Sequence, residues 1–214
     1  NQYLQNGSGD LAAMLKPMGL YNSEELYKLF QWLMELNKSK SYTDKVKLIG
    51  FDSAEYWGNP LKRDQLMSEN FTKTHKIKKL KTILWAHNLH LAKDTTMANY
   101  KAMGWHLKQE FENQFYVIGF DTYKGNVSTI SNGKFEKHDF EGKEGSFSSL
   151  FAKAKYPSFF IDFHKTPNPL INTLNSITNL YSNWQEPKPL PIIPGSDFDA
   201  LIFIRESTAS NAIK

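Results

Sequence analysis

Cysteine is absent from the 214 residues, which excludes disulfides, thiolate metal sites and a Cys nucleophile together. A chain without Cys suits a reducing or an oxidising compartment equally, so the compartment stays open with the cytoplasm slightly favoured; Asn1 to Asp10 lacks the basic and apolar blocks of a signal peptide, and the true N-terminus is not expected among these residues. No apolar run nears the ~20 residues that cross a bilayer, so no membrane segment is expected. Arginine is nearly missing: of 26 basic residues only Arg63 and Arg205 are Arg, and the net charge is +4. Readers of phosphate and base edges rely on the planar Arg fork, so no nucleic-acid partner is expected. The basic run Lys73 to Lys81, with Lys76, Lys78 and Lys79, reads as a solvated helix end. Also missing are G-x-S-x-G, G-x-x-x-x-G-K-[ST] and G-x-G-x-x-G after a strand, which leaves a serine elbow, ATP and dinucleotides without support.

What is present is a chain able to bury a core, with 40% hydrophobic, 14% aromatic and 22% charged residues. Asn22, with Glu25 three residues on, reads as the cap of a helix carrying Leu26, Phe30, Leu33 and Leu36 on one face. Lys45 to Phe51 and Lys81 to Ala86 read as buried strands, separated by a helix from Leu61 to about Ile77. A second helix over Thr96 to Gln114 leads to a strand at Phe115 to Phe120. Strand and helix in alternation is the pattern of crossovers on a parallel sheet. Beyond Phe120 a polar hairpin with turns at Gly125-Asn126 and Asn132-Gly133 is expected, then a short helix at Phe147 to Ala154 and strands at Ser158 to Phe163 and Ala200 to Ile204. The Pro-rich stretch Asn183 to Gly195 between them is extended.

In open α/β sheets ligands sit beyond the carboxyl ends of the strands. The residues following the predicted strands are Asp52; His87, Asn88 and His90; Asp121; His164, with Asp162 just before it; and Arg205 with Glu206. The most informative is Trp85-Ala86-His87-Asn88-Leu89-His90, where two imidazoles three apart suit a base, an acid, an oxyanion donor or a ligand. The same spacing also fits one His bonded within its loop and one exposed. A divalent metal would need a third ligand from Asp52, Asp121 or His164; without the Glu of HExxH the expected state is no metal and no cofactor. Arg63 reads either as an oxyanion or carboxylate binder or as a surface partner of Asp64 or Glu69. Asp52 and Asp162 divide between catalytic carboxylates and turn residues. Trp57, Trp85, Trp105 and Trp184 read as core first and as pocket walls second.

Several strings resemble, in order, the C-terminal half of the erythromycin esterase family, which includes succinoglycan-biosynthesis-like proteins. They are Lys47-Leu48-Ile49-Gly50-Phe51-Asp52; Arg63-Asp64-Gln65-Leu66-Met67-Ser68-Glu69-Asn70; Leu84-Trp85-Ala86-His87-Asn88-Leu89-His90; Met103-Gly104; Tyr116-Val117-Ile118-Gly119-Phe120; and Phe198-Asp199-Ala200-Leu201-Ile202-Phe203-Ile204. The resemblance implies a three-layer α/β/α fold with a mainly parallel sheet. It also implies a hydrolase that opens an ester or macrolide lactone by activating water, an antibiotic-resistance chemistry. In that family the H-N-x-H histidines line the pocket, which makes His87 and His90 the expected catalytic pair and places Arg63, Asn70, Asn88 and Asp52 as substrate or oxyanion contacts.

The family's Gly-Glu-x-x-His-Gly motif has no counterpart here, and only Ser53 to Lys62 stand where the family places a long helical stretch. The expectation is therefore one α/β domain over 1–214 that lacks the family's N-terminal part and an internal helical segment near 53–62. Its expected partner is a small-molecule ester or macrolide-like substrate. The competing reading is a noncatalytic ligand-binding or polysaccharide-associated module of the same fold.

Overall fold

The computed structural model describes residues 1–78, 81–165 and 168–213; Lys79 of the basic run lies outside them. Helices α1 (Gln2–Asn6), α2 (Leu11–Leu15) and α3 (Glu24–Lys38) open the chain. Helix α3 starts one residue later than the sequence suggests, because Ser23 is the cap and its Oγ accepts from Leu26 N at 3.2 Å. Leu4, Leu11, Leu15 and Phe30 form a small core of their own among these helices.

Lys45 to Phe51, expected as a buried strand, forms no strand among the described residues. Side-chain amides take the place of a ladder there: Asn37, fully buried, donates to Val46 O at 2.9 Å and accepts from Val46 N at 2.7 Å, while Asn1 does the same at Leu48. Helix α4 (Pro60–Lys78) follows. Lys81 to Ala86 likewise forms no strand among the described residues, and Ile83 and Trp85 are exposed. A one-turn helix α5 (Asn88–Leu91) then carries the second imidazole. The long helix expected at Thr96 to Gln114 shrinks to α6 (Met103–Phe111). Asn99 sits at φ +57, a left-handed conformation that no helix continues through.

The main sheet contains β1 (Ile118–Ser131), β2 (Lys134–Glu141), β3 (Ser158–Asp162) and β6 (Ala200–Ser207) in the order β2-β1-β6-β3. Strands β1 and β6 are parallel, with Ile118 opposite Ala200, and the two flanking pairs are antiparallel. This is a mixed α/β architecture whose parallel element is the central pair. Asn132-Gly133 makes the hairpin turn with both φ values positive. Gly125-Asn126 is no turn but strand, and Gly125 is needed because a Cβ there would lie 2.1 Å from Ser207 O.

Leu201 and Phe203 project from β6 into the core beside Phe159, Phe147 and Phe151, under α7 (Phe147–Ala152). A second, two-stranded sheet of β4 (Asn175–Ile177) and β5 (Leu190–Ile192), then α8 (Pro194–Asp197), complete the core. None of Trp57, Trp85, Trp105 and Trp184 belongs to it. Trp57 and Trp85 are exposed, Trp105 packs under Lys101, and Trp184 stacks on His138 at 4.3 Å. Among the described residues no helix is long and apolar enough to cross a membrane.

Candidate functional site

Helix α5 owes its position to Asn88. Its Nδ2 donates to Phe120 O at 2.6 Å and its Oδ1 accepts from Phe120 N at 3.1 Å, so the side chain pairs with β1 as a neighbouring strand would. His87 is the cap of the same helix, with φ −64 and ψ 148, and its Nδ1 accepts from Leu89 N at 3.3 Å. The ring has an open edge to solvent but is crowded by protein. That desolvation, followed by the nearby His90, lowers its pKa, while the Leu180 carbonyl and the Asn179 side chain pull in the opposite direction. His87 is thereby held neutral with Nδ1 occupied.

His90, one turn later, has a different environment. Its Nδ1 lies 2.8 Å from Oδ1 of Asp64, a residue of α4 that is 1% exposed. A carboxylate only accepts, so Nδ1 carries the proton and the lone pair of the neutral ring is on Nε2. Asp64 also accepts from Met103 N at 2.9 Å, at the start of α6, and from Tyr100 Oη at 3.0 Å. Burial, with Asp64 second, pushes the Tyr100 phenol up to about 12, so it stays a donor. Three elements thus converge on one buried carboxylate, which fixes the His90 ring. The approach of α6 to α5 requires Gly104, where a Cβ would stand 2.1 Å from Leu91 O.

Arg63, next to Asp64 on α4, pairs not with Asp64 or Glu69 but with Asp52, through Nε at 3.3 Å and Nη2 at 2.7 Å. Partial burial opposes ionisation of Asp52, but Arg63 and Trp57 Nε1 outweigh it and hold the carboxyl below its usual range. Both partners are about one-third exposed, at 32% and 29%, so the pair contributes at most ~1 kcal/mol to stability. Asn70, on the same helix, donates to Phe51 O at 3.1 Å and thereby fixes the Lys45 to Phe51 segment to α4. Of the six residues singled out from sequence, Asn88, Asn70 and Asp52 hold structure together. His90 and Arg63 keep nitrogens free of partners among the described residues.

The other candidates do not join them. Strand β3 runs antiparallel to β6, so Asp162 and His164 emerge at the end opposite Arg205 and Glu206. His164 Nε2 there meets Asp199 Oδ1 at 2.6 Å, beside Lys93 Nζ at 2.6 Å. Arg205 donates to the carbonyls of Ala154 and Tyr156. Asp121 lies inside β1 and faces α7. Among the described residues no three His, Asp or Glu side chains come together as a metal site. A groove of about 350 Å³ between α4 and α6, lined by Gln65, Glu69, His106 and Glu110 among others, includes neither His87 nor His90.

Asp64 is the residue that sequence reasoning passed over as a candidate in its own right. Its signal was the pairing with Arg63 at adjacent helical positions, which on an α-helix point about 100° apart and so serve different partners.

Comparison with known proteins gives the family. The chain is 30% identical over 164 residues to YbfO of Bacillus subtilis (strain 168), a hydrolase by name; the match covers 71% of this chain and 36% of that one. The chain therefore spans about a third of that curated relative. A solved succinoglycan biosynthesis protein superposes with a TM-score of 0.84 at 17% identity, over all of this chain and 77% of the other. A Bacillus cereus protein gives 0.82 at 20%, over all of this chain and 78% of its own. An erythromycin esterase mutant in its open conformation gives 0.51 at 15%, over 95% and 50%. These likenesses are of fold. With residues 53–207 matching the family model described as Erythromycin esterase, the chain belongs to the erythromycin esterase family.

Proposed function

We propose that the chain forms the water-activating part of a hydrolase acting on a small-molecule ester or lactone, with His90 as general base. The observation that supports this most is the buried Asp64 at 2.8 Å from His90 Nδ1, which leaves Nε2 as the basic nitrogen of an oriented ring. In this reading Nε2 takes a proton from a water whose oxygen attacks the carbonyl carbon. The imidazolium formed is stabilised by Asp64, and its proton passes to the departing alkoxide as the tetrahedral intermediate collapses to acid and alcohol. Arg63 is the charged donor nearest in the chain to this machinery, and Asp52 holds it ready for the developing oxyanion or the product carboxylate. His87, close enough to His90 to feel its charge, stands beside it in neutral form. The family name makes a macrolide lactone the first natural substrate to try, beside p-nitrophenyl acetate as a generic ester.

The test is hydrolysis by Asp64→Asn. Asparagine retains an oxygen for His90 and Met103 N, and its amide faces a Tyr100 hydroxyl free to rotate, so the change removes charge with little change of shape. An ion pair about 4 Å between charge centres at an effective dielectric near 20 is worth up to ~4 kcal/mol, so a loss of roughly 30- to 1000-fold in kcat is expected. His90→Ala should lose at least as much. Activity of a folded Asp64→Asn variant within about threefold of wild type would remove the dyad from the mechanism.

A further inference from the structure

Asp64 is 1% exposed, and a carboxylate so placed keeps its charge only where donors meet its lone pairs. Its two oxygens are served unequally. Oδ1 accepts from His90 Nδ1 at 2.8 Å and from Met103 N at 2.9 Å, whereas Oδ2 accepts, among the described residues, from Tyr100 Oη alone at 3.0 Å. Tyr100 is packed in neither apolar core, so its hydroxyl, rather than its ring, ties it to the site. The chain is bent to deliver it. Asn99 N donates to Thr95 O at 2.9 Å, and Asn99 takes the left-handed φ of +57 immediately before Tyr100, a conformation that few L residues other than Asn and Asp accept.

We infer that Tyr100 is a positioning residue that acts on His90 through Asp64: its hydroxyl draws part of the carboxylate charge to Oδ2 and so sets how tightly the pair holds a proton on the imidazole. The inference rests on the reading of His90 as general base and goes one step further, to what limits the proton affinity of that base. Without the phenol both remaining donors sit on Oδ1, and Oδ2 is a buried acceptor with no partner. The imidazole is then the group that can gain a charge to offset it, so protonation of Nε2 is favoured. The other charged and titratable groups around the pair do not replace the hydroxyl. Arg63, on the same helix, is engaged by Asp52, and Lys101 lies over the Trp105 ring. His106 of α6 feels the Asp64 charge, and His87 that of His90, without a hydrogen bond to either among the described residues. Burial, then Asp64, raises the phenol to about 12, so it remains a donor through the whole range in which a histidine titrates.

The test is Tyr100→Phe in the whole chain, read by NMR titration of 15N-labelled imidazoles, with the His90 signals assigned by their loss in His90→Gln. Phenylalanine keeps the ring and removes the donor. The His90 signals should titrate about half a pH unit or more above those of the wild-type protein, with Nδ1 still the protonated nitrogen of the neutral ring, while the His138 signals on β2 do not move. The acid limb of kcat/KM on p-nitrophenyl acetate should move up by the same amount, because Nε2 must be free to take a proton from water. A merely structural tyrosine would leave the titration unmoved, or lower it if the imidazole came away from Asp64. Either result in a folded Tyr100→Phe protein overturns the proposal. If that variant does not fold, replacing all tyrosines by 3-fluorotyrosine strengthens the donor instead of removing it. The His90 titration should then move down, and an unmoved or raised one is the refuting result. Should the titrations move as expected while no ester is hydrolysed, the role of Tyr100 stands and the hydrolytic reading falls. Should Asp64→Asn abolish hydrolysis while Tyr100→Phe leaves the His90 titration in place, the hydrolytic reading stands and the role of Tyr100 falls.

Discussion

Replacing Gly104 with alanine tests how tightly the site is built. A Cβ at this position in α6 falls 2.1 Å from Leu91 O, 2.3 Å from Leu91 C and 2.6 Å from Ala92 O, so the nearest contact is roughly 1.3 Å short of the ordinary 3.4 Å. All three obstacles are backbone, which no rotamer change relieves. Helix α6 cannot easily retreat, because Met103 N is bonded to the buried Asp64, and α5 is pinned to β1 through Asn88. Overpacking of this kind costs ~1–3 kcal/mol. In a chain of this size each kcal/mol lowers Tm by about 2–4 °C, so a fall of roughly 4–8 °C is expected by calorimetry for a cost near 2 kcal/mol. Gly50→Ala is the control, because nothing lies within 4 Å of its added carbon, and it should change stability by less than ~0.5 kcal/mol. The displaced backbone follows directly on His90, so under the proposed function hydrolysis should suffer with stability. A Gly104→Ala protein melting within about 1 °C of wild type, or a Gly50→Ala protein that falls equally, would refute the close-approach argument.

Two further outcomes follow from buried polar groups. Burial, and then a hydrogen bond shared with Asp94, raise Asp197 to about 8 against the pull of Ile193 N and Lys93. The unfolded chain releases this proton near pH ~3.9 while the folded protein retains it, so stability falls as pH rises from there to about 8, by up to ~1.4 kcal/mol per unit, and then levels off. Asp197→Asn should flatten that slope in urea titrations at pH 5, 7 and 9, and an unchanged slope would assign it to other groups. Asn88→Asp exchanges a donor for a second acceptor opposite the Phe120 carbonyl and should cost about 1–3 kcal/mol. It should also raise the hydrogen exchange of α5 amides, and a variant as stable as wild type would mean that the clasp contributes nothing.

Much of the fold was legible because its elements are local. Helix α4, the Asn132-Gly133 hairpin and the apolar strands β3 and β6 were all found within a few residues. Errors arose where a side chain or a distant pairing decided the outcome. Periodicity carried the second long helix through Asn99, whose left-handed backbone ends it. Short apolar runs made strands of Lys45 to Phe51 and Lys81 to Ala86, yet a ladder needs a partner, and Asn1 and Asn37 supply side-chain amides instead at the first. Strand direction is not written in any single strand. Reading β3 as parallel put His164 at the same sheet end as Arg205, whereas its antiparallel register with β6 carries it to the opposite end, where it meets Asp199. The tryptophans were read as core before pocket walls, and the core was filled instead by Phe147, Phe198 and Phe203.

The two histidines show why spacing could single out a pair but not tell its two environments apart. Three residues apart in any helix they would be equivalent neighbours. In a four-residue helix, one is the cap and the other lies inside the turn. The cap position engages Nδ1 of His87 with Leu89 N, which leaves that imidazole a neutral ring held in place. The turn position aims Nδ1 of His90 at Asp64, which leaves Nε2 basic. Between them Asn88 fixes the turn to β1, so the string His87-Asn88-Leu89-His90 contains a cap, a clasp and, in the proposed function, a base in sequence. The base still depends on residues outside the string. Asp64 comes from the Arg63-Asp64 pair and its remaining donors from Tyr100 and Met103, while Gly104 admits the Leu91 carbonyl. Motifs separated by some forty residues therefore meet at one carboxylate, and removing its charge without its shape separates chemistry from scaffold.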